Sequence, residues 1–239
     1  MCVCVWQLLT DLATLAIQDA ERLYAASPDD EQAARLVVRS LWSRGDAVIA
    51  LQDTETGVAD SVRAAEIAEA LRAKRPDDPS LMSLSAWSFF RAGLWYEFHA
   101  KQLEPALRYE AAAANLWLRL VRDFPSSGHV NELLIGAWPE VQHRAEYGDI
   151  KAALTRGRQI LDVAADAMTD SVAESFPINF LAQRHYELIE ALGNEGRWDE
   201  ARATCEAWSG RLQAVTGAGP VSQAKLDDAR ARADRCLGG

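Results

Sequence analysis

Cysteine is scarce, with four in 239 residues, at Cys2, Cys4, Cys205 and Cys236. That scatter excludes the disulfide framework of a small secreted domain and predicts a reducing, cytoplasmic setting. Cys2-Val3-Cys4 is the one close pair. No Cys or His cluster elsewhere supplies the other half of a metal site, so the pair reads as two small apolar residues at a helix end. Long apolar runs are missing as well, and no uncharged stretch is long enough for a membrane-spanning helix. Met1 to Leu9 is apolar, but it has no basic leader and Asp11 interrupts it, so it does not read as a signal peptide. Strand signals are nearly absent. So are the phosphate-loop, dinucleotide, nucleophile-elbow and zinc-helix motifs. His99, His129, His143 and His185 show no ligand spacing. The reading is therefore no enzyme, no metal and no cofactor.

The chain does have a strong excess of acid. Its 25 Lys and Arg against 35 Asp and Glu give a formal charge of −10, which disfavours nucleic acid or an anionic membrane as partner. Hydrophobic residues at 49% with charged residues at 25% exclude a disordered chain. Ala, Leu, Glu, Arg and Gln dominate, all good helix formers.

The few prolines fall at intervals. Pro28, Pro76, Pro125 and Pro220 are separated by 48, 49 and 95 positions, the last interval being about two more units. The missing mark falls near Thr169-Asp170-Ser171. Each Pro ends a helix, because the residue before it avoids the α region. Asp30, Asp78 or Ser127 can then cap the next helix, and Pro79 suits a first helical position. The pattern predicts helices at about 4–26, 30–52, 60–75, 79–101, 104–124, 129–147, 149–167, 173–195, 198–215 and 221–236, with Pro139 and Pro177 kinking their helices or delaying their starts.

Second helices show one apolar stripe each. Trp198, Ala201, Cys205, Trp208 and Leu212 follow 3, 4, 3, 4 spacing. Ile150, Ala153, Leu154, Gly157, Ile160, Leu161 and Ala164 repeat it, as do Ala106, Tyr109, Ala113, Leu116, Leu120 and Phe124. Ala106, Ala153 and Ala201 mark a position where two antiparallel helices approach closely and a large side chain would force them apart.

Gly196-x-Trp198-x-x-Ala201 and Gly148-x-Ile150-x-x-Ala153 resemble the mid-repeat turn of tetratricopeptide repeats, and the closing Pro resembles the end of that repeat. The units here are about 48 residues against a standard of about 34, and the turns at Asp53 to Gly57 and Lys101 to Leu103 depart from the Gly pattern. The resemblance implies an all-α fold: a right-handed superhelical array of antiparallel helix pairs, a TPR-like α-α solenoid. It implies a single domain over 1–239, with a half repeat or N-terminal cap at 1–28. Helix-pair units follow at 29–76, 77–125, 126–171 and 172–220, then a charged capping helix at 221–239. The lone first helix also fits a piece of a longer protein.

The same resemblance implies a concave groove lined by first helices. Counting back from Ala106, Ala153 and Ala201 puts Ser88, Arg91, Trp95, Phe98 and His99 there, then Ile135, Trp138, Gln142 and Glu146, then Gln183, Tyr186, Glu190 and Asn194. Such a mixture of aromatic, Arg, amide and carboxylate groups suits peptide recognition. For Trp95 and Trp138 the competing reading is core filling, and Trp198 and Trp208 read as core. The expected function is a protein-interaction scaffold binding a peptide or partner domain in that groove. The alternatives are a regulatory or sensor module of a larger bacterial signalling protein, such as a Ser/Thr kinase, and a small-molecule-binding helical array. Val3, Val5, Trp6 and Leu9 predict self-association as a homodimer through the first helix.

Overall fold

Helices begin where the sequence offers an acceptor for free backbone N–H groups. Asp30 accepts from Gln32 at 2.8 Å and Ala33 at 3.2 Å, and Asp78 accepts from Ser80 at 2.9 Å and Leu81 at 3.3 Å. Ser126 accepts from His129 at 3.1 Å. The third cap is thus Ser126, one residue before the expected Ser127, and the three caps recur at an even 48 positions.

The structure, a computed structural model, describes residues 3–27, 29–49, 51–167 and 175–216. The side chains of residues 3, 4, 49, 175–179, 209 and 211–216 are likewise outside the description. All regular structure among the described residues is helical. The elements are α1 (Val3–Ala26), α2 (Glu31–Ile49), α3 (Thr54–Lys74), α4 (Pro79–Leu94), a π-helical turn (Trp95–His99), α5 (Leu103–Asp123), α6 (Ser127–Gly136), α7 (Trp138–Glu146), α8 (Ile150–Ala167), α9 (Ser175–Asn194) and α10 (Trp198–Thr216). None of the described helices is long and apolar enough to cross a membrane. Cys2, the mark near residue 170 and the expected cap at 221–239 lie outside the described residues. The chain divides into two compact units between Leu116 and Trp117.

Four turns share one backbone form. Gln52, Lys101, Gly148 and Gly196 all have positive φ, at 57°, 55°, 86° and 70°. The next N–H returns to the preceding helix: Asp53 to Val48 at 3.2 Å, Asp149 to Arg144 at 2.8 Å and Arg197 to Leu192 at 2.9 Å. This is a left-handed helix stop, in which a residue beyond the helix end satisfies otherwise free carbonyls. The second turn is wider by one residue, with Gln102 donating to Tyr96 at 2.8 Å, because the π-helical turn inserts an extra residue there. Five positions after each left-handed residue comes a small buried one: Gly57, Ala106, Ala153 and Ala201. Gly57 therefore lies inside α3, which starts at Thr54 under an Asp53 cap, six residues earlier than its apolar pattern suggests.

In the first unit α2 packs between α1 and α3, and α4 packs on α3. Ile17, Ala34, Val37, Val38, Leu41, Ala64, Ala68, Leu71 and Leu81 form its core. Arg44 of α2 holds the buried Asp60 of α3 through two bonds of 2.7 and 2.6 Å. The indole of Trp95 covers Gly57 and approaches Gly45.

In the second unit α7 packs on α8, and α9 contacts α6, α8 and α10. Pro139 breaks the sixth predicted helix: α6 ends at Gly136, and α7 restarts at Trp138 with Pro139 in its first turn, where its missing N–H costs nothing. Pro177 falls in the first turn of α9. Trp117 covers Gly136, and Trp208 is buried as expected. Trp198 is not a core residue. It is 69% exposed and lies over Gly193 at the turn, because the first position of α10 sits at the hairpin tip.

Gly57→Ala and Gly136→Ala place a Cβ inside the six-membered rings of Trp95 and Trp117, two buried and rigid groups. Each is expected to cost about 1–3 kcal/mol in chemical denaturation, while Gly210→Ala, whose Cβ meets nothing, leaves the midpoint in place or raises it.

Candidate functional site

The helix α4 and its π-helical turn carry aromatics on every side. Ala100 donates to the Trp95 carbonyl at 3.0 Å, a five-residue step. Residues before and after that step are rotated relative to a continuous α-helix, so the count back from Ala106 slips by one. Trp95 consequently turns inward and is 4% exposed, seated on Gly57. Tyr96 stacks on Tyr109 of α5 at 5.6 Å, and Phe89 meets the same ring at 6.1 Å. Burial pushes the Tyr109 hydroxyl up from its ordinary range, with Tyr96 and Glu66 adding in the same direction against Arg108.

What remains outside forms a pocket of about 480 Å³, lined by Asp46, Trp87, Phe90, Arg91, Phe98 and His99 among others. Trp87 and Phe90 meet edge to face at 5.5 Å. Phe98 is 53% exposed at its rim. Arg91 bonds Asp46 at 2.6 and 3.2 Å and lies over the Trp42 ring at 5.2 Å. Arg91, Trp95, Phe98 and His99 all line this pocket, but Trp95 is wall and core, not an open anchor. Ser88 is fully buried, its hydroxyl bonded to the Leu84 carbonyl at 2.8 Å.

Trp138 is buried too, at 2% exposure. It packs on Gly157, donates from Nε1 to Glu187 at 2.6 Å, and lies under Arg184 at 5.3 Å. Gln183 donates to the same carboxylate at 3.0 Å. The core-filling reading therefore holds for both tryptophans. Gln142, Glu146, Glu190 and Asn194 are exposed, and Ile135 and Tyr186 are half-buried. Of the expected self-association residues, Val5 and Leu9 are exposed and Trp6 is half-buried, and the side chain of Val3 lies outside the described residues. Leu8, Leu12, Leu15 and Leu23 extend the same exposed apolar face.

A second pocket, of about 360 Å³, escaped the sequence reading. Arg158, Asp162, His185, Glu200, Thr204 and Trp208 line it, between α8, α9 and α10. His185 stacks on Trp208 at 4.2 Å and shares a 2.8 Å bond with the Leu181 carbonyl through Nδ1. One signal was available. Positions 41, 89, 137 and 185 recur at 48, and His185 stands where Leu41, Phe89 and Ala137 are apolar. Glu200 accepts from Arg197 at 2.7 and 2.8 Å and from Arg158 at 2.6 Å, and these bonds hold its carboxyl down at about 2.

No family model matches the chain, and no curated protein matches it at a significant level. Among solved structures, the crystal structure of BtubC (BKLC) from P. vanneervenii is similar, at 16% identity with a TM-score of 0.36, covering 91% of this chain and 95% of that one.

A carbon-13 titration of the side-chain carboxyls is expected to find Glu200 titrating far below its peers. Its midpoint moves up toward 4.5 in Arg197→Ala and in Arg158→Ala. A midpoint unchanged in both variants would show that the two guanidinium groups do not set it.

Proposed function

We propose that this chain is a TPR-like array of helix pairs that serves as a protein-interaction scaffold, without catalytic activity, in the cytoplasm. The observation that carries the reading is the aromatic pocket beside the π-helical turn. An exposed phenyl ring at a concave site, next to an Arg fork, matches the residue types that anchor protein interfaces. The recurrence of caps, left-handed turns and small crossing residues at about 48 positions supports the array. The buried thiol of Cys205 fits a reducing compartment. The acidic charge argues for a protein or peptide partner over nucleic acid or membrane.

The peptide or partner domain places an apolar side chain against Phe98 and Trp87. Arg91 stays tied to Asp46 at the rim and gives a polar boundary. In capture from lysate of the source cell, Phe98→Ala is expected to weaken retention of the partner at least tenfold, about 1.4 kcal/mol, with an unchanged helical circular dichroism spectrum. Equal retention by wild type and variant sinks the pocket assignment.

The apolar stripe of α1 makes self-association a second part of this reading. Sedimentation is expected to give a mass above one chain that falls to one chain in Leu12→Glu. A wild-type mass of one chain across the concentration range removes it.

A further inference from the structure

The largest of the described clefts, about 850 Å³, lies away from the aromatic pocket, along α3 and the far side of the π-helical turn. Its floor is apolar: Val58, Ala59 and Val62 from α3, with Ala100 opposite. Two exposed carboxylates, Glu55 and Glu66, close its ends. The residues 55, 59, 62 and 66 follow 4, 3, 4 spacing, so they share one face of α3. The two carboxylates stand eleven residues apart, which is about 16 Å along the helix. Arg63, which also lines the cleft, pairs with Glu21 of α1 at 2.8 Å. The cleft thus presents an exposed carboxylate on either side of an apolar centre.

We propose that this cleft docks a basic amphipathic helix from a partner protein, with cationic side chains three turns apart bracketing small apolar ones. Charge complementarity fixes the occupant. A helix of eleven-residue cation spacing meets Glu55 and Glu66 together and lays its apolar face on Val58 and Val62. The α1 stripe of a second copy does not fit, because it carries Asp11 and Asp19 among its leucines and presents no cation pair of that spacing. The inference extends the scaffold reading to a second surface. It stands apart from the aromatic pocket, since neither Glu55 nor Glu66 lines that pocket and Phe98 does not line this cleft.

The test uses the full chain and three fluorescein-labelled synthetic helices of equal length, at about 0.15 M salt. The first carries Lys at two positions eleven apart, flanking Leu and Ala. The second carries Glu at those positions. The third has the composition of the first with its two Lys moved to opposite faces. Fluorescence anisotropy is expected to rank the first helix about tenfold tighter than either other. In Glu55→Lys/Glu66→Lys that order is expected to reverse, so that the Glu helix binds best. Binding of the first helix is expected to survive Phe98→Ala. The proposal is overturned if the first and third helices bind alike, which is general attraction to an acidic chain. It is equally overturned if the double charge reversal leaves the order unchanged, or if Phe98→Ala removes binding and the helix sits in the aromatic pocket. Loss of lysate capture in Phe98→Ala, with no binding of any helix here, would leave the scaffold reading standing and this cleft without a role.

Discussion

Indole rings seated on glycines set the distances between helices. Trp95 covers Gly57, Trp117 covers Gly136 and Trp138 lies against Gly157, each at a helix crossing. A glycine lets a flat ring approach the backbone of the neighbouring helix, and the ring then buries a large apolar area in one contact. The geometry of each crossing follows from that thickness. Removing the ring leaves a cavity against bare backbone, and adding a methyl group to the glycine gives overlap with a ring that has nowhere to go. At the position that Gly57 holds, the later hairpins use alanine, as at Ala106 and Ala201, both close to fully buried.

Much of this was legible in the residues. Caps, helix-ending prolines and the stripe through Ala153, Ile160 and Ala164 report local chemistry and simple periodicity, and a sequence displays both directly. Gly57 was not legible, because a glycine near Asp53 and Thr54 looks like a turn residue. Its true role needs the knowledge that Trp95 arrives from another helix. The π-helical turn was invisible for the same reason. Lys101 occupies a left-handed position that glycine fills in the two later turns, so nothing there marks the wider turn that follows the π-helical residues. One inserted residue then rotated the count that placed Trp95 in a groove. Arg91, Phe98 and His99 nonetheless line one pocket, the last two from within the π-helical turn. Trp138 failed differently: its ring nitrogen has a carboxylate partner in Glu187, so burial leaves the donor satisfied, and an aromatic at a groove register can face the core at no polar cost.

The first unit divides its aromatics between the stacked pair Tyr96 and Tyr109 on one side and Phe98 with Trp87 on the other. His99 borders both clefts, at the point where the chain leaves the π-helical turn.

One further feature bears on how such a chain finds its own pairing. Eight positions before and after the left-handed residue, the first hairpin holds Arg44 against Asp60, and the third holds Glu140 against Arg156 at 2.8 Å. The signs are opposite at matching places. A chain of similar hairpins is at risk of joining the first helix of one to the second helix of another during folding. Such a mismatch here would set Arg44 facing Arg156, or Glu140 facing Asp60, in an interface with little water to screen them. The reversed polarity acts as a key, so that each of these hairpins closes on its own strand of sequence and rejects its near copy.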